Sequence, residues 1–448
     1  MKIAVSEVYT SRHHPIRVQF EGTPDHHDIH HRRKLREANK RGGLNMTTVD
    51  VDLVNGARLD AIHPDLLGLV TLLIVAPFSR RCVELDFPVS NGFVKVVRDN
   101  LIRLDAPIDP ALQRRKVGPD ARPGLAFSGG VDSCAALSVM PKNTVPVFLR
   151  RRVPEHGAAG NYDESAALIS CERVRRYGFD MRQIETTLEF IRRPVGNPVD
   201  WSNSAPAILN ADALGLSSIS FGSIAESVFS TGGSRFSDMR KRAVYAKWAP
   251  IFEYCNIPMS FPTASLSEVL TSKICGVSEY DFLPQSCVRG RPGEPCHNCF
   301  KCFRKGLVEA ALRETAPPPV LIENAQRSRE IMGKLAEVPI HHEIVLSWAM
   351  KNRHLAQDAL TDGLRRKLEV VTAYGDSLNF VGKYYPAGMA YTVAPMREEV
   401  EANIARFCDP MTPQEADHFE AWNAKGFVTD PSYITGAQQL DTMLEQVG

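Results

Sequence analysis

The 448 residues contain no apolar run long enough to cross a bilayer. The longest, Leu66 to Phe78, stops at thirteen residues and includes Gly68 and Thr71, whereas a membrane helix needs about 20. The run reads as a buried helix. The opening residues lack the apolar core and small-residue cleavage site of an export signal, so the expected setting is the cytoplasm, without a membrane partner. There is no internal repeat at a fixed period and no low-complexity tract. Net charge is almost absent, +1 from 53 basic and 52 acidic residues. The chain as a whole is therefore not built as a polyelectrolyte binder, and nucleic acid remains an open partner. The slight excess is basic up to about residue 310 and acidic beyond. No Lys-Ser/Thr pair closes a glycine loop, which excludes a Walker-type phosphate site. No Ser/His/Asp or Cys/His nucleophile arrangement can be read from spacing.

Hydrophobic residues make up 44% of the chain and charged residues 23%, an ordinary globular composition. Three regions are expected. Residues 1–122 mix strand and helix signals, with strands at Ile16–Phe20, Cys82–Val89 and Gly92–Val97 and a helix at Leu66–Val75. Residues 123–312 alternate strand and helix. Strands are expected at Gly124–Phe127, Val145–Leu149, Met181–Thr186 and Ser217–Gly222, and helices at Asp132–Val139, Glu164–Tyr177 and Ala205–Leu214. Such alternation implies a parallel sheet covered on both faces. Residues 313–448 are read as helical, with pieces at Glu330–Leu335, Glu343–Lys351, Leu355–Val371 and Arg397–Phe407, and carry no chemical motif.

Two constellations carry chemistry. Ser128-Gly129-Gly130-Val131-Asp132-Ser133 stands where an apolar strand ends and a helix begins. Paired glycines allow a tight turn, and the new helix presents unpaired N–H groups and the positive end of its dipole. Two serine hydroxyls add donors, and Asp132 would act through a cation, Mg²⁺. The second is Cys287-x8-Cys296-x2-Cys299-x2-Cys302. Four thiolates at short gaps complete a tetrahedral Zn²⁺ shell with no open position, hence a structural site; an iron–sulfur cluster is the rival. His297 could replace one ligand. The basic, His-rich stretch around His13, His14, His26, His27, His30 and His31 reads as solvated. Arg150, Arg151 and Arg152 follow a strand at the edge where open α/β sheets bind ligands, and Asp200, Asn203 and Glu226 are candidate substrate contacts.

The first constellation resembles the Ser-Gly-Gly-x-Asp-Ser signature of N-type ATP pyrophosphatases, the PP-loop superfamily. The cysteine spacing, followed by Arg304, is similar to the zinc knuckle of the 7-cyano-7-deazaguanine synthase (QueC) family within it. Ile219–Glu226 and Phe261-Pro262 resemble that family's intervening segments, and Glu268 stands where it favours lysine. The resemblance covers about 124–310. It implies a doubly wound parallel sheet, with Ser128, Gly129, Gly130, Val131, Asp132 and Ser133 holding ATP and Mg²⁺ and with Asp132 and Ser133 catalytic. Cys287, Cys296, Cys299 and Cys302 would hold zinc, and Arg150, Asn203 and Glu226 would meet the substrate. The implied reaction adenylates the carboxylate of a deazaguanine-like acid, releases pyrophosphate and passes the acyl group to ammonia or an amine. A small-molecule carboxylate, a protein acceptor or operon partner, and a second copy of the chain are the partners this allows. Queuosine-type nucleobase modification or antiviral defence would be its context. Thiolation or amidation of tRNA, a natural-product pathway, and an inactive nucleotide-binding scaffold are the alternatives.

Overall fold

A computed structural model describes residues 1–8, 15–21, 43–79, 81–155, 162–229, 235–372 and 375–447. His13, His14, His26, His27, His30 and His31 of the His-rich stretch lie outside them, as does Thr231–Ser234. The chain is α/β. Its strands are β1 Lys2–Glu7, β2 Pro15–Glu21, β3 Gly43–Leu44, β4 Thr48–Asp52, β5 Cys82–Leu85, β6 Arg103–Asp105, β7 Arg122–Phe127, β8 Val145–Arg151, β9 Arg182–Thr186, β10 Arg192–Arg193, β11 Leu216–Phe221 and β12 Met259–Ser260. Ten of them form one mixed, mostly parallel sheet in the order β12-β11-β7-β8-β9-β4-β2-β1-β5-β6, and β3 pairs with β10 alone.

The five strands from β12 to β9 are parallel throughout. Chain order runs outward from β7 through β8 to β9, then jumps to the other side of β7 for β11 and β12. The direction of winding therefore reverses between β7 and β11. In open α/β sheets, ligands bind outside the carboxyl ends of strands at such a reversal. Burial accounts for the composition of β7, whose Pro123 to Phe127 are all buried, as expected of a strand covered on both faces.

Residues before Arg122 extend the same sheet. β4 joins β9 in antiparallel register at Val51 and Thr186. Thr186 Oγ1 donates to the Asp50 carbonyl at 2.7 Å, and Arg152 reaches Asp52 at 2.8 Å. The thirteen-residue apolar run becomes helix α1, Pro64–Val75, with every residue from Asp65 to Val75 buried. Among the described residues, no helix is long and apolar enough to cross a membrane.

Gly92–Val97, read as a strand above, is part of helix α2, Asn91–Asn100. Ser90 caps it by accepting from the Phe93 amide, and Phe93, Val94 and Val97 fall on one buried face. That spacing is helical, and the β-branched content misled. The stretch Ala205–Leu214 breaks at Asn210, whose side chain accepts from the Val54 amide at 2.8 Å and donates to the Asp52 and Pro206 carbonyls.

Beyond the sheet come helices α3 Val131–Val139, α4 Ser165–Arg176, α5 Ala243–Tyr254, α6 Glu268–Val277 and α7 Phe300–Leu312. The residues after 312 are mainly helical, including α8 Glu343–Ala349, α9 Ala359–Thr372, α10 Ala394–Ala405 and α11 Pro431–Gln446. They pack back on the sheet side. Met396, Val400 and Ile404 of α10 share a core with Leu125, Phe127 and Leu137. The Phe261 amide donates to the Tyr391 carbonyl and the Tyr385 amide to the Ser265 carbonyl. Lys367 is wholly buried yet satisfied, because its Nζ donates to the carbonyls of Leu335, Ala336 and Glu337 at a helix end.

Candidate functional site

At the carboxyl end of β7 the backbone turns through Gly129, whose φ of +71° suits glycine. A β-carbon there would also stand 3.0 Å from the Ala167 backbone. Gly130 is the N-cap of α3 and has no side chain to cap it. Its first turn therefore leaves amide hydrogens for another acceptor. Ser128 and Ser133 lie with hydroxyls 3.1 Å apart, and Ser133 Oγ donates to the Gly130 carbonyl. The Gln285 amide holds the loop from the far side through the Gly129 carbonyl, and Ser286 Oγ accepts from the Val131 amide at 3.3 Å. Gly222, just past β11, completes the cradle. A β-carbon at that position would meet the backbone of Asp132 and Ser133 at 2.9 Å, so the strand exit and the helix start approach as closely as backbones can.

Asp132 leads into a buried network. Its Oδ1 accepts from Thr271 Oγ1 at 2.9 Å and from Lys305 Nζ at 3.2 Å. Lys305 also stands 3.7 Å from Glu268, which Arg304 grips with Nε at 2.9 Å and Nη2 at 2.8 Å. The Glu268 amide, at the start of α6, donates to both carboxyl oxygens of Glu226. Burial works against the Lys305 charge, but Asp132 and Glu268 outweigh it and raise its pKa. Burial likewise opposes ionisation of Glu268, and Lys305 and Arg304 overcome it, holding that carboxyl well below the usual range. Among the described residues no cation pairs with Glu226. Burial, then the neighbouring Glu268 charge, pushes it up to about 8. Two carboxyls side by side thus differ in state at neutral pH: Glu268 is ionised and Glu226 protonated.

The four cysteine sulfurs lie within 4.8 Å of one another. Zinc–sulfur bonds of about 2.3 Å in a tetrahedron place sulfurs about 3.8 Å apart, and Cys296 and Cys302 are separated by 3.8 Å. Backbone amides of Arg289 and Cys296 point at the Cys287 sulfur, and that of Cys302 at Cys299, which suits thiolates. The donor set fits a metal such as zinc. His297 is not among the clustered ligands.

Two hollows flank the glycine loop. One, of about 500 Å³, includes Ser128, Phe148, Arg151, Tyr162 and Asn203 in its lining. Arg151 stacks 3.9 Å from the Tyr162 ring and forms two hydrogen bonds of 2.8 Å with Glu189. The other, of about 390 Å³, includes Val131, Ser286, Lys301 and Lys305.

Of the residues singled out in the sequence, Ser128, Gly129, Gly130, Val131, Asp132, Ser133 and Glu226 converge, and Asn203 lines the first hollow. Arg150 lines neither hollow and instead pairs with Glu164 and Glu185 at 3.1 and 2.9 Å. Asp200 is exposed. The reading missed Thr271, Lys305 and the Arg304–Glu268 pair. Their only advance signals were Glu268 in place of lysine and the basic pair Arg304-Lys305, one residue beyond Cys302.

A family model described as "Family of unknown function (DUF6395)" matches residues 247–423, under half of the chain. The match takes in Glu268, Thr271, the four cysteines and Lys305, and leaves out the glycine loop and Glu226. No curated protein and no solved structure matches.

Proposed function

We propose that the chain is an ATP-dependent carbon–nitrogen ligase that adenylates a carboxylic acid, deazaguanine-like in its base, and transfers the acyl group to ammonia or an amine. The observation that carries this is the uncapped start of α3, reached through Gly129 and Gly130, at the point where strand order reverses. Amides there, with the hydroxyls of Ser128 and Ser133, can hold the terminal phosphates of ATP. Asp132 is the residue that would hold Mg²⁺, which when bound neutralises phosphate charge. The acid oxygen attacks the α-phosphorus, the bond from that phosphorus to the bridging oxygen breaks, and pyrophosphate leaves. Nitrogen then adds to the acyl carbon and AMP departs. Lys305, beside Asp132, supplies fixed positive charge next to the phosphates.

The four-cysteine knuckle supports the same reading, because it fixes the start of α7 and thereby Lys305. Queuosine-type modification or antiviral defence are contexts in which such a ligase would act, with a protein amine as one acceptor. A nucleotide-binding scaffold is the second reading. It is favoured by Lys305 already pairing with Asp132, which would spare that carboxylate a metal.

The deciding experiment measures pyrophosphate release from Mg-ATP, with and without 7-carboxy-7-deazaguanine, in the intact chain and in Asp132→Ala. Acid-stimulated release that is lost in the variant supports the ligase. Binding of ATP with no release, over that acid and a panel of others, supports the scaffold.

A further inference from the structure

Adenylation brings together two reactants, and the loop has a hollow on each side. The segment through the first cysteine separates them: Ser286 and Cys287 line one, Val288 and Arg289 the other. This partition is pinned at both ends. The Gln285 amide donates to the Gly129 carbonyl, and the Val288 carbonyl accepts from the Asp163 amide at 2.8 Å.

The hollows differ in chemistry. On the Val131 side, Leu283, Pro284, Ala310, Pro318 and Leu321 form apolar walls, and Lys305 lies beside the loop. Lys301 and Arg313 add two exposed cations, and Glu309, the cleft's own carboxylate, is taken by Arg313. Lys301 pairs with no carboxylate among the described residues. At about 390 Å³ the cleft falls in the range of small-molecule sites, about 300–1,000 Å³. On the Ser128 side, Glu189 takes the Arg151 charge and Glu330 takes that of Arg289, the hollow's other cation, so no comparable surplus is left among the described residues.

We infer that the cleft between the cysteine knuckle and α7 binds the carboxylic acid. The apolar body of the acid lies against Leu283, Pro284 and Leu321, and its carboxylate is directed to Lys301 and to the Lys305 end. This rests on the ligase reading for the fate of the acid, though not for its binding. The knuckle is then one wall of a substrate site as well as a support for the fold.

Calorimetric titration tests it, using the full chain saturated with Mg²⁺ and α,β-methylene-ATP. The ligands are 7-carboxy-7-deazaguanine and its 7-amide. Ala316→Trp, at an exposed position on the cleft rim, should raise the Kd of the acid about tenfold or more. Val195→Trp, exposed on the rim of the other hollow, should leave the acid unaffected and weaken α,β-methylene-ATP. Lys301→Gln should cost the acid more affinity than the amide. Circular dichroism verifies that each variant is folded. Undiminished acid binding in Ala316→Trp, loss of it in Val195→Trp, equal affinity for acid and amide, or no acid binding at all each overturns the inference. Failure of the ligase reading looks different: acid binds and Ala316→Trp blocks it, but Mg-ATP yields no pyrophosphate.

Discussion

Glu226 and Glu268 show how two like residues take opposite roles from their neighbours. Glu226 holds a proton in the folded chain up to about pH 8, whereas the unfolded carboxyl releases it near about pH 4.3. The associated stability is full below the lower value and is lost as pH rises towards the upper one. Glu226→Gln should therefore flatten the fall in stability between pH 5 and 8, read from urea midpoints; parallel profiles would contradict the assignment. Arg304 and Glu268 are both buried, with side chains 8% and 1% exposed. Removing one partner strands the other charge, so Arg304→Met should cost about 3–5 kcal/mol, measured by urea denaturation. Adding Glu268→Gln should restore part of it, since no charge then remains unpaired. Neither role could be read from sequence, because Glu226, Glu268 and Arg304 are distant in the chain and meet only in the fold, beyond the end of β11 and near the starts of α6 and α7.

At the scale of elements, the site depends on how closely the exit of β11 approaches the first turn of α3. Gly222→Ala places a methyl 2.9 Å from the Asp132 carbonyl carbon, so the turn must shift. Affinity for α,β-methylene-ATP should drop severalfold while the far-UV spectrum persists, and wild-type affinity would show that the turn can yield. A second close approach joins α9 and α11, where a β-carbon on Gly436 would stand 2.2 Å from the Lys367 amide nitrogen. Overpacking of that kind costs about 1–3 kcal/mol, and Gly436→Ala should lower the urea midpoint accordingly. Most elements were legible from local pattern. Helix α1 follows from its apolar run, β7 and β8 from short apolar stretches, and β9 and β11 from their places in the strand–helix alternation. Helix α2 was not, because Gly92–Val97 satisfies strand composition and helical spacing at once, and packing of Phe93 against Gly68 decides between them.

The whole molecule is more interlocked than its sequence regions suggest. β4 continues the sheet from β9, and residues 385–404 pair with and pack on β12, α3 and α6. A chain ending at residue 312 would uncover Phe261, Leu266 and Phe127, and should be insoluble or bind the dye ANS strongly where the full chain does not. Metal content is checked in the same preparation. One zinc per chain is expected, and removal by chelator should lower the melting temperature, because the four sulfurs would be left crowded without a shared cation. Iron with visible absorbance in place of zinc would overturn the zinc assignment.

By itself the sequence determined what depends on neighbours along the chain: the α/β alternation after residue 122, the buried helix at Leu66–Val75, the glycine turn into α3, and four cysteines spaced to reach one ion. Short-range geometry sets those features, so spacing suffices to read them. The tertiary structure alone decided which charges meet. Lys305 reaches Asp132 across 173 positions, and Glu226 reaches Glu268 across 42. It also decided that Arg150 is spent on two glutamates, and that the terminal regions are built onto one sheet. Those outcomes depend on which surfaces the fold buries together, and burial is a property of the packed chain, not of any stretch of it.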